Sequence, residues 1–348
     1  MLKHFWGGRG PLLAVALVAA AAALLTAGAC AKRNPAWQKP DVLTLAREIP
    51  VVGNPLDMSF AGDNLYVAQD QGGISVINVN DYNHKWVTQV FADDGSSITL
   101  GRIKRISLLP VSNRMFLNEI SATDRIVILD TSDPDTLVYK FDIVGGTGGI
   151  KDLGSFPLDP PSGGFNMAIG YCSGGIFKYD RYDGGVFNEN VYTLTPPASA
   201  SGYYLTDDKI YLTCEQRGLF IYNRSDRQYL GELALPGEAQ KVAVSGNFAY
   251  VACRQGGLSV VDVTNPAQPV LAGSYDTTGY ATSIDVSGSL AAVSSGSGGT
   301  YLFDVSTPTA PTLIQRLTEA GYTNNAKIKD GKLYIAARDR GVLIYDID

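Results

Sequence analysis

A chain of 348 residues is long enough for two average domains or for one large all-β array. With 45% of residues hydrophobic and 18% charged, a disordered chain is excluded. The formal charge of −6 becomes −8 once residues 1–29, which carry only Lys3 and Arg9, are set aside, and so acidic a body is a poor electrostatic partner for nucleic acid.

The chain opens with a short positive segment (Lys3, His4, Arg9) followed by an unbroken apolar run from Leu12 to Leu25. That run is too short for a bilayer span, which needs roughly 20 residues, and has the length of a signal-peptide core. It ends Leu24-Leu25-Thr26-Ala27-Gly28-Ala29-Cys30, which resembles the lipobox of bacterial lipoproteins. The resemblance implies cleavage after Ala29 and lipidation of Cys30, anchoring the protein to the membrane without crossing it. Ala27-Gly28-Ala29 also fits ordinary signal cleavage, which would leave Cys30 a free thiol. Residues 1–29 are thus read as a signal peptide, 30–41 as lipid anchor and linker, and 42–348 as the folded domain. Ala31, not Asp, follows Cys30, so the inner-membrane retention signal of enteric bacteria is missing and outer-membrane placement is favoured in a two-membrane host.

From there one unit recurs: a Gly or turn, a short hydrophobic run, then Asp or Asn. It is found at 73–78, 125–130, 175–180, 218–223, 257–262, 299–304 and 341–346, and the anchors Asn78, Asp130, Asp180, Asn223, Asp262, Asp304 and Asp346 are separated by 52, 50, 43, 39, 42 and 42 residues. Each unit is preceded by a second short strand, such as 64–68, 209–213, 248–252 or 332–336. An alternating strand lies further upstream (241–245, 282–287) and a fourth lies downstream (269–275). Short β-branched and aromatic runs bounded by Gly, Asn, Asp and Pro read as strands. Four strands repeated seven times at about forty residues predict an all-β, seven-bladed propeller of four-stranded blades. The seventh copy stops after its third strand, and residues 42–49 match the fourth-strand pattern. They are therefore expected to lie beside 341–347, closing the ring and removing two free sheet edges.

The units resemble LVIVD repeats, found in propeller proteins at bacterial and archaeal cell surfaces. Residues 257–266 (Gly-Leu-Ser-Val-Val-Asp-Val-Thr-Asn-Pro) carry the resemblance most closely and 299–308 next, while the third and fourth units lack the Pro after Asp180 and Asn223. The resemblance spans about residues 42–348 and implies a fold and a cell-surface address. It implies no activity, since the family shares no reaction.

Catalytic motifs are sparse. Only His84 remains outside the leader, and it reads as an exposed residue in a turn between outer strands. No cofactor motif is found: there is no phosphate loop, no dinucleotide fingerprint and no docking tryptophan pattern. Cys172, Cys214 and Cys253 close the second strands of three adjacent units, eight, nine and nine residues before the anchors. They read as a column of buried small side chains, with a disulfide or a three-thiolate metal site as the alternatives.

The turns between second and third strands share one face with the inter-blade crossings. That face gathers Asp70, Arg102, Arg105, Glu215, Arg217, Arg254, Tyr280, Tyr322, Arg338 and Arg340, residue types that dominate recognition surfaces. It is the expected binding face for a protein or glycan partner, and its arginines favour an acidic one. On the innermost strands Lys104, Arg105, Lys151, Asp152 and Asp285 read as scattered. The leading expectation is therefore a non-catalytic binding or scaffolding module. A propeller hydrolase or lyase, or a structural part of a larger surface assembly, are the alternatives.

Overall fold

The computed structural model describes residues 42–120, 124–146, 148–162, 165–182 and 188–348. The leader, the lipobox with Cys30 and the linker to residue 41 lie outside the described residues. The described chain folds into seven sheets arranged as a propeller, each built on four antiparallel strands. Blade one runs from the centre outward through Pro55–Ala61, Asn64–Gln69, Ile74–Asn78 and His84–Val87. The later blades repeat this order, each starting at its innermost strand: Arg102–Leu109, Ile150–Ser162, Ala200–Leu205, Lys241–Ser245, Ser283–Ser287 and Thr323–Lys329.

The repeat anchors end the third strand of their blades or lie within a residue or two of its end, as Asn78, Asn223, Asp262 and Asp304 show. Asp262 Oδ1 accepts the Thr264 N–H at 2.9 Å and Asp304 Oδ1 that of Ser306 at 2.8 Å. The same two-residue reach-back occurs at Asn78, Asp130 and Asn223. An Asx turn of this kind stops the ladder and starts the crossing to the outer strand, which is why the repeat ends on Asp or Asn.

The ring closes as expected from the strand pattern. Leu43–Ile49 pairs antiparallel with Gly341–Ile347, in a register that runs from Leu43 opposite Ile347 to Ile49 opposite Val342. The two long repeat intervals have separate causes. Between blades one and two, a hairpin of Gln89–Ala92 and Ser97–Thr99 adds to the outside of blade two, Phe91 pairing in parallel with Val138 on its outer strand. In blade three the extra length goes into the strands themselves, Ile150–Ser162 and Phe165–Ser173.

Both faces of each blade are buried, so alternation places neighbouring residues in different seams. In blade seven, Leu333 and Tyr345 pack toward blade six, whereas Tyr334 and Ile344 pack toward blade one beside Met58 and Val67. Seven apolar clusters among the described residues fill the seven seams between blades.

Candidate functional site

Five innermost strands begin with a β-bulge, its register shift falling at Pro55/Asp57, Ile103/Arg105, Ile150/Asp152, Ala200/Gly202 and Thr323/Asn325. A bulge re-aims the side chain that follows it. Here Asp57, Arg105, Asp152 and Asn325 point into the central channel, joined at the same level by Lys241 and Ser283. The charged residues that read as scattered along the sequence are thereby brought to one place.

Three carboxylates stitch neighbouring innermost strands, which share no backbone ladder. Asp57 accepts the N–H of Ile106 in blade two at 3.3 Å, as well as Met58 N at 3.0 Å and Asn325 Nδ2 at 2.8 Å. Asp152 accepts the N–H of Tyr203 in blade four at 3.1 Å and of Leu153 at 3.0 Å, and pairs with the Lys241 ammonium. Asp285 accepts the N–H of Ile328 in blade seven at 2.9 Å and pairs with Lys327 at 3.2 Å. The Asp285 charge raises the pKa of Lys327, whereas burial outweighs Asp152 and lowers that of Lys241. At the equivalent place in blade four stands Gly202, where a Cβ would come within 2.3 Å of Gln240 O and 3.2 Å of Asp152 Oδ2. That close approach leaves no room for a side chain.

Charge is divided along the channel. Its central cavity, about 300 Å³, has Asp57 and Asp152 balanced by Lys241 and Lys327. At the mouth, two adjoining cavities of about 260 Å³ and 190 Å³ are lined by Lys104, Arg105, Lys151 and Lys241, with Glu215 the single carboxylate among the lining residues. Glu215 is engaged by Lys151 at 2.6 Å, and Arg105 donates its Nε to Lys151 O at 2.8 Å. Burial first, then the Arg105 charge, lowers the pKa of Lys104.

The residues of the expected face fall into three groups. Arg105 and Glu215 line the channel mouth, with Tyr322 at its edge; Arg102 and Arg105 both belong to the innermost strand Arg102–Leu109 and not to a crossing loop. A middle ring is made of an ion pair between Asp70 and Arg102 (2.8 Å) and two stacks. In these, the Arg254 guanidinium lies over the Tyr280 ring at 5.0 Å and that of Arg338 over Tyr322 at 3.6 Å, while Arg254 also pairs with Glu238 at 2.7 Å. Tyr280 is 53% exposed. Arg217 and Arg340 instead reach the periphery, pairing with Glu232 and Glu48 on the outer strands of blades four and seven. His84 is exposed as expected, but it starts the outer strand of blade one, its Nε2 2.8 Å from Ser75 Oγ.

The three thiols do not form one column. Cys214 pairs with Ala200 at the position that Gln69 and Ala337 occupy in their blades, whereas Cys172 stands one residue earlier, opposite Asp152. A shift of one residue turns a side chain to the other face. Cys172 and Cys214 therefore meet in the seam between blades three and four, and Cys253 packs in the next. All three are free and buried, and burial raises their pKa values, to about 12 for Cys214 and about 11 for Cys253. Among the described residues no group of three or more His, Cys, Asp or Glu could hold a metal ion. Native protein at pH 8 is expected to react with none of these three thiols on the timescale in which urea-denatured protein reacts with all of them. Rapid titration of any one of them by a thiol-disulfide reagent without denaturant would contradict their burial.

The channel cluster had a readable signal that composition and motif reading passed over. Asp57, Gly202, Lys241, Ser283 and Asn325 each stand 21 residues before their blade's anchor. Aligning the copies on that spacing places all five on one ring.

Among known families, the LVIVD repeat model matches residues 236–277 and 278–319, the stretches that carry blades five and six. No curated protein matches the sequence. Similar solved structures include the β-propeller domain of Cps50 (Swd1) from Myceliophteria thermophila, with 11% identity and a TM-score of 0.68 over 88% of this chain and 100% of that one. U3-55K aligns at 10% identity and a TM-score of 0.68 over 87% and 98%. The computationally designed Ika8 protein aligns at 12% and 0.61 over 86% and 98%. At such identities the likeness is one of fold.

Proposed function

From the premise that this chain is a seven-bladed β-propeller carrying LVIVD repeats, we propose that it is a binding module of the cell envelope, held by a lipid on Cys30, that presents the face around the channel mouth to an acidic protein or glycan. The observation that carries this reading is the pair of arginine–tyrosine stacks, half-buried Arg254 on exposed Tyr280 and exposed Arg338 on half-buried Tyr322, set beside a cation-lined mouth. Tyr and Arg are enriched among the few residues that carry most of the energy at recognition surfaces, and positive potential steers an acidic partner to them. The envelope address is supported by the apolar leader and the lipobox-like run that ends at Cys30.

A hydrolase or lyase would draw on the channel carboxylates. Asp57 and Asp152 each accept three hydrogen bonds or ion-pair contacts from the framework. Groups so engaged serve the ring and are poorly placed to take a proton from a substrate.

The test is cross-linking and recovery of partners from native membranes with wild-type protein and with the Arg254→Ala/Arg338→Ala variant. Each surface stack contributes about 0.5–1 kcal/mol to folding, so the variant keeps a melting temperature within a few degrees of wild type. The expected result is a partner recovered by the wild type and lost by the variant, with Cys30→Ser protein leaving the membrane fraction. Equal recovery by both proteins would remove this face from consideration.

A further inference from the structure

We propose that the channel mouth is a binding site for a small doubly charged oxyanion, the phosphate or sulfate group of a ligand, held by Lys104 and Arg105 with Lys151 and Lys241 behind them. The site deepens the binding reading above and rests on it, but lies inside the ring and not on the arginine–tyrosine rim.

Four cations converge on this mouth in a chain whose net charge is −6. Two are already matched: Lys151 holds Glu215 at 2.6 Å, and Lys241 is paired with Asp152. Lys104 has no hydrogen-bond or ion-pair partner among the described residues, and Arg105 has only its Nε engaged, by the Lys151 carbonyl at 2.8 Å. Both are half-buried. Two like charges on adjacent residues, partly withdrawn from water and with no carboxylate in contact among the described residues, oppose the fold, and the more distant Asp124 offsets only part of that at Lys104. Two positive charges with no ion-pair partner in contact match one dianion.

The donors also have the right form. The free end of the Arg105 guanidinium is a planar fork suited to two oxygens at once, and the Lys104 ammonium supplies three rotatable donors beside it. The cavities, about 260 Å³ and 190 Å³, share Lys104, Arg105, Lys241 and Thr282. Each lies below the ~300–1,000 Å³ of sites that enclose drug-sized ligands, which limits the bound group to a small anion or the anionic end of something longer. Below the mouth, Asp57 and Asp152 balance Lys241 and Lys327, so the excess of positive charge lies at the entrance.

Isothermal titration of the full domain with inorganic phosphate, sulfate and acetate, at constant ionic strength maintained with chloride, tests this directly. Phosphate or sulfate is expected to bind saturably, with acetate weaker; the preferred dianion identifies which ligand class supplies the group. Lys104→Gln and Arg105→Gln should each weaken that binding by about tenfold or more, the loss expected for one charge-assisted hydrogen bond. Lys329→Gln, on a half-buried lysine paired with Asp330 at 2.6 Å and outside both mouth cavities, should leave it unchanged. Lys104→Gln removes no contact within the fold, so it remains informative even where Arg105→Gln folds poorly. Absence of saturable binding by all three anions, or wild-type affinity in Lys104→Gln, overturns the proposal. The Arg254→Ala/Arg338→Ala variant separates the two readings, because it should lose the membrane partner and keep the anion. Anion binding without any partner would leave this site standing and the envelope-binding role refuted, and the reverse pattern would do the opposite.

Discussion

Deleting the chain through residue 49 should open the ring and lower the melting temperature far more than any single surface substitution. Leu43 and Ile49 are 4% and 5% exposed in the outer strand of blade seven. At about 1.5–3 kcal/mol for each buried aliphatic side chain, their loss alone approaches 3–6 kcal/mol, a large share of the ~5–15 kcal/mol that holds a typical domain together. The deletion also removes the hydrogen bonds that Val42 N and Leu43 N donate to Gln315 Oε1, at 2.9 and 3.0 Å, and the Glu48–Arg340 pair. Gly341–Ile347 would become a free edge bearing Val342, Leu343 and Ile344, an invitation to pair with another chain. Thermal unfolding and size-exclusion chromatography should show a less stable, self-associating protein. Reattaching residues 42–49 after Asp348 through a flexible linker should restore both properties, since the strand would reach the same slot from the other terminus. A deletion that stays monomeric and melts like the wild type would show that closure contributes little.

Asp152→Ala should be the most damaging point substitution in the channel. It strands the Lys241 ammonium in the ring and leaves the N–H groups of Leu153 and Tyr203 without their acceptor. Removing one partner of a buried pair costs about 3–5 kcal/mol, against about 0–1 kcal/mol for an exposed pair such as Asp70–Arg102. Urea unfolding should place Asp152→Ala well below wild type and the double variant Asp152→Ala/Lys241→Met between the two. Part of the loss is the unpaired charge, and the second substitution removes it. Equal stability of the single and double variants would mean that the pair carries no coupling, and that the carboxylate acts through the backbone alone.

Blade number and ring closure were legible because they repeat. Each anchor restates the register, and residues 42–49 carry the one strand pattern left unmatched. The channel was not legible by the same route. Charged residues on a strand ordinarily read as its wet face, and Lys104, Lys151 and Lys241 stand far apart along the chain. Only the ring geometry makes them neighbours. The 21-residue spacing could have revealed five of the stations, but the lengthened blades two and three hide the remaining two. Arg105 stands 25 and Asp152 28 residues before their anchors. The thiols fail to align for a related reason. The difference between eight and nine residues was visible, but in a strand with two buried faces it decides which neighbouring blade a side chain meets.

The slot beside Gly341–Ile347 also imposes an order in time. Leu43 belongs to the first strand of the propeller to be made and Ile347 to the last, and the two are direct partners. At the ~5–20 residues per second of synthesis, the first strand waits on the order of tens of seconds before its partner exists. Through that interval blade one has no neighbour on one side, and the seam that Ile49, Met58 and Tyr334 will fill is open. Contacts this distant along a chain are slow to form. A permuted chain whose ends fall between two complete blades would still wait for its last seam, but no strand in it would wait for its ladder partner, so closure would join two finished sheets.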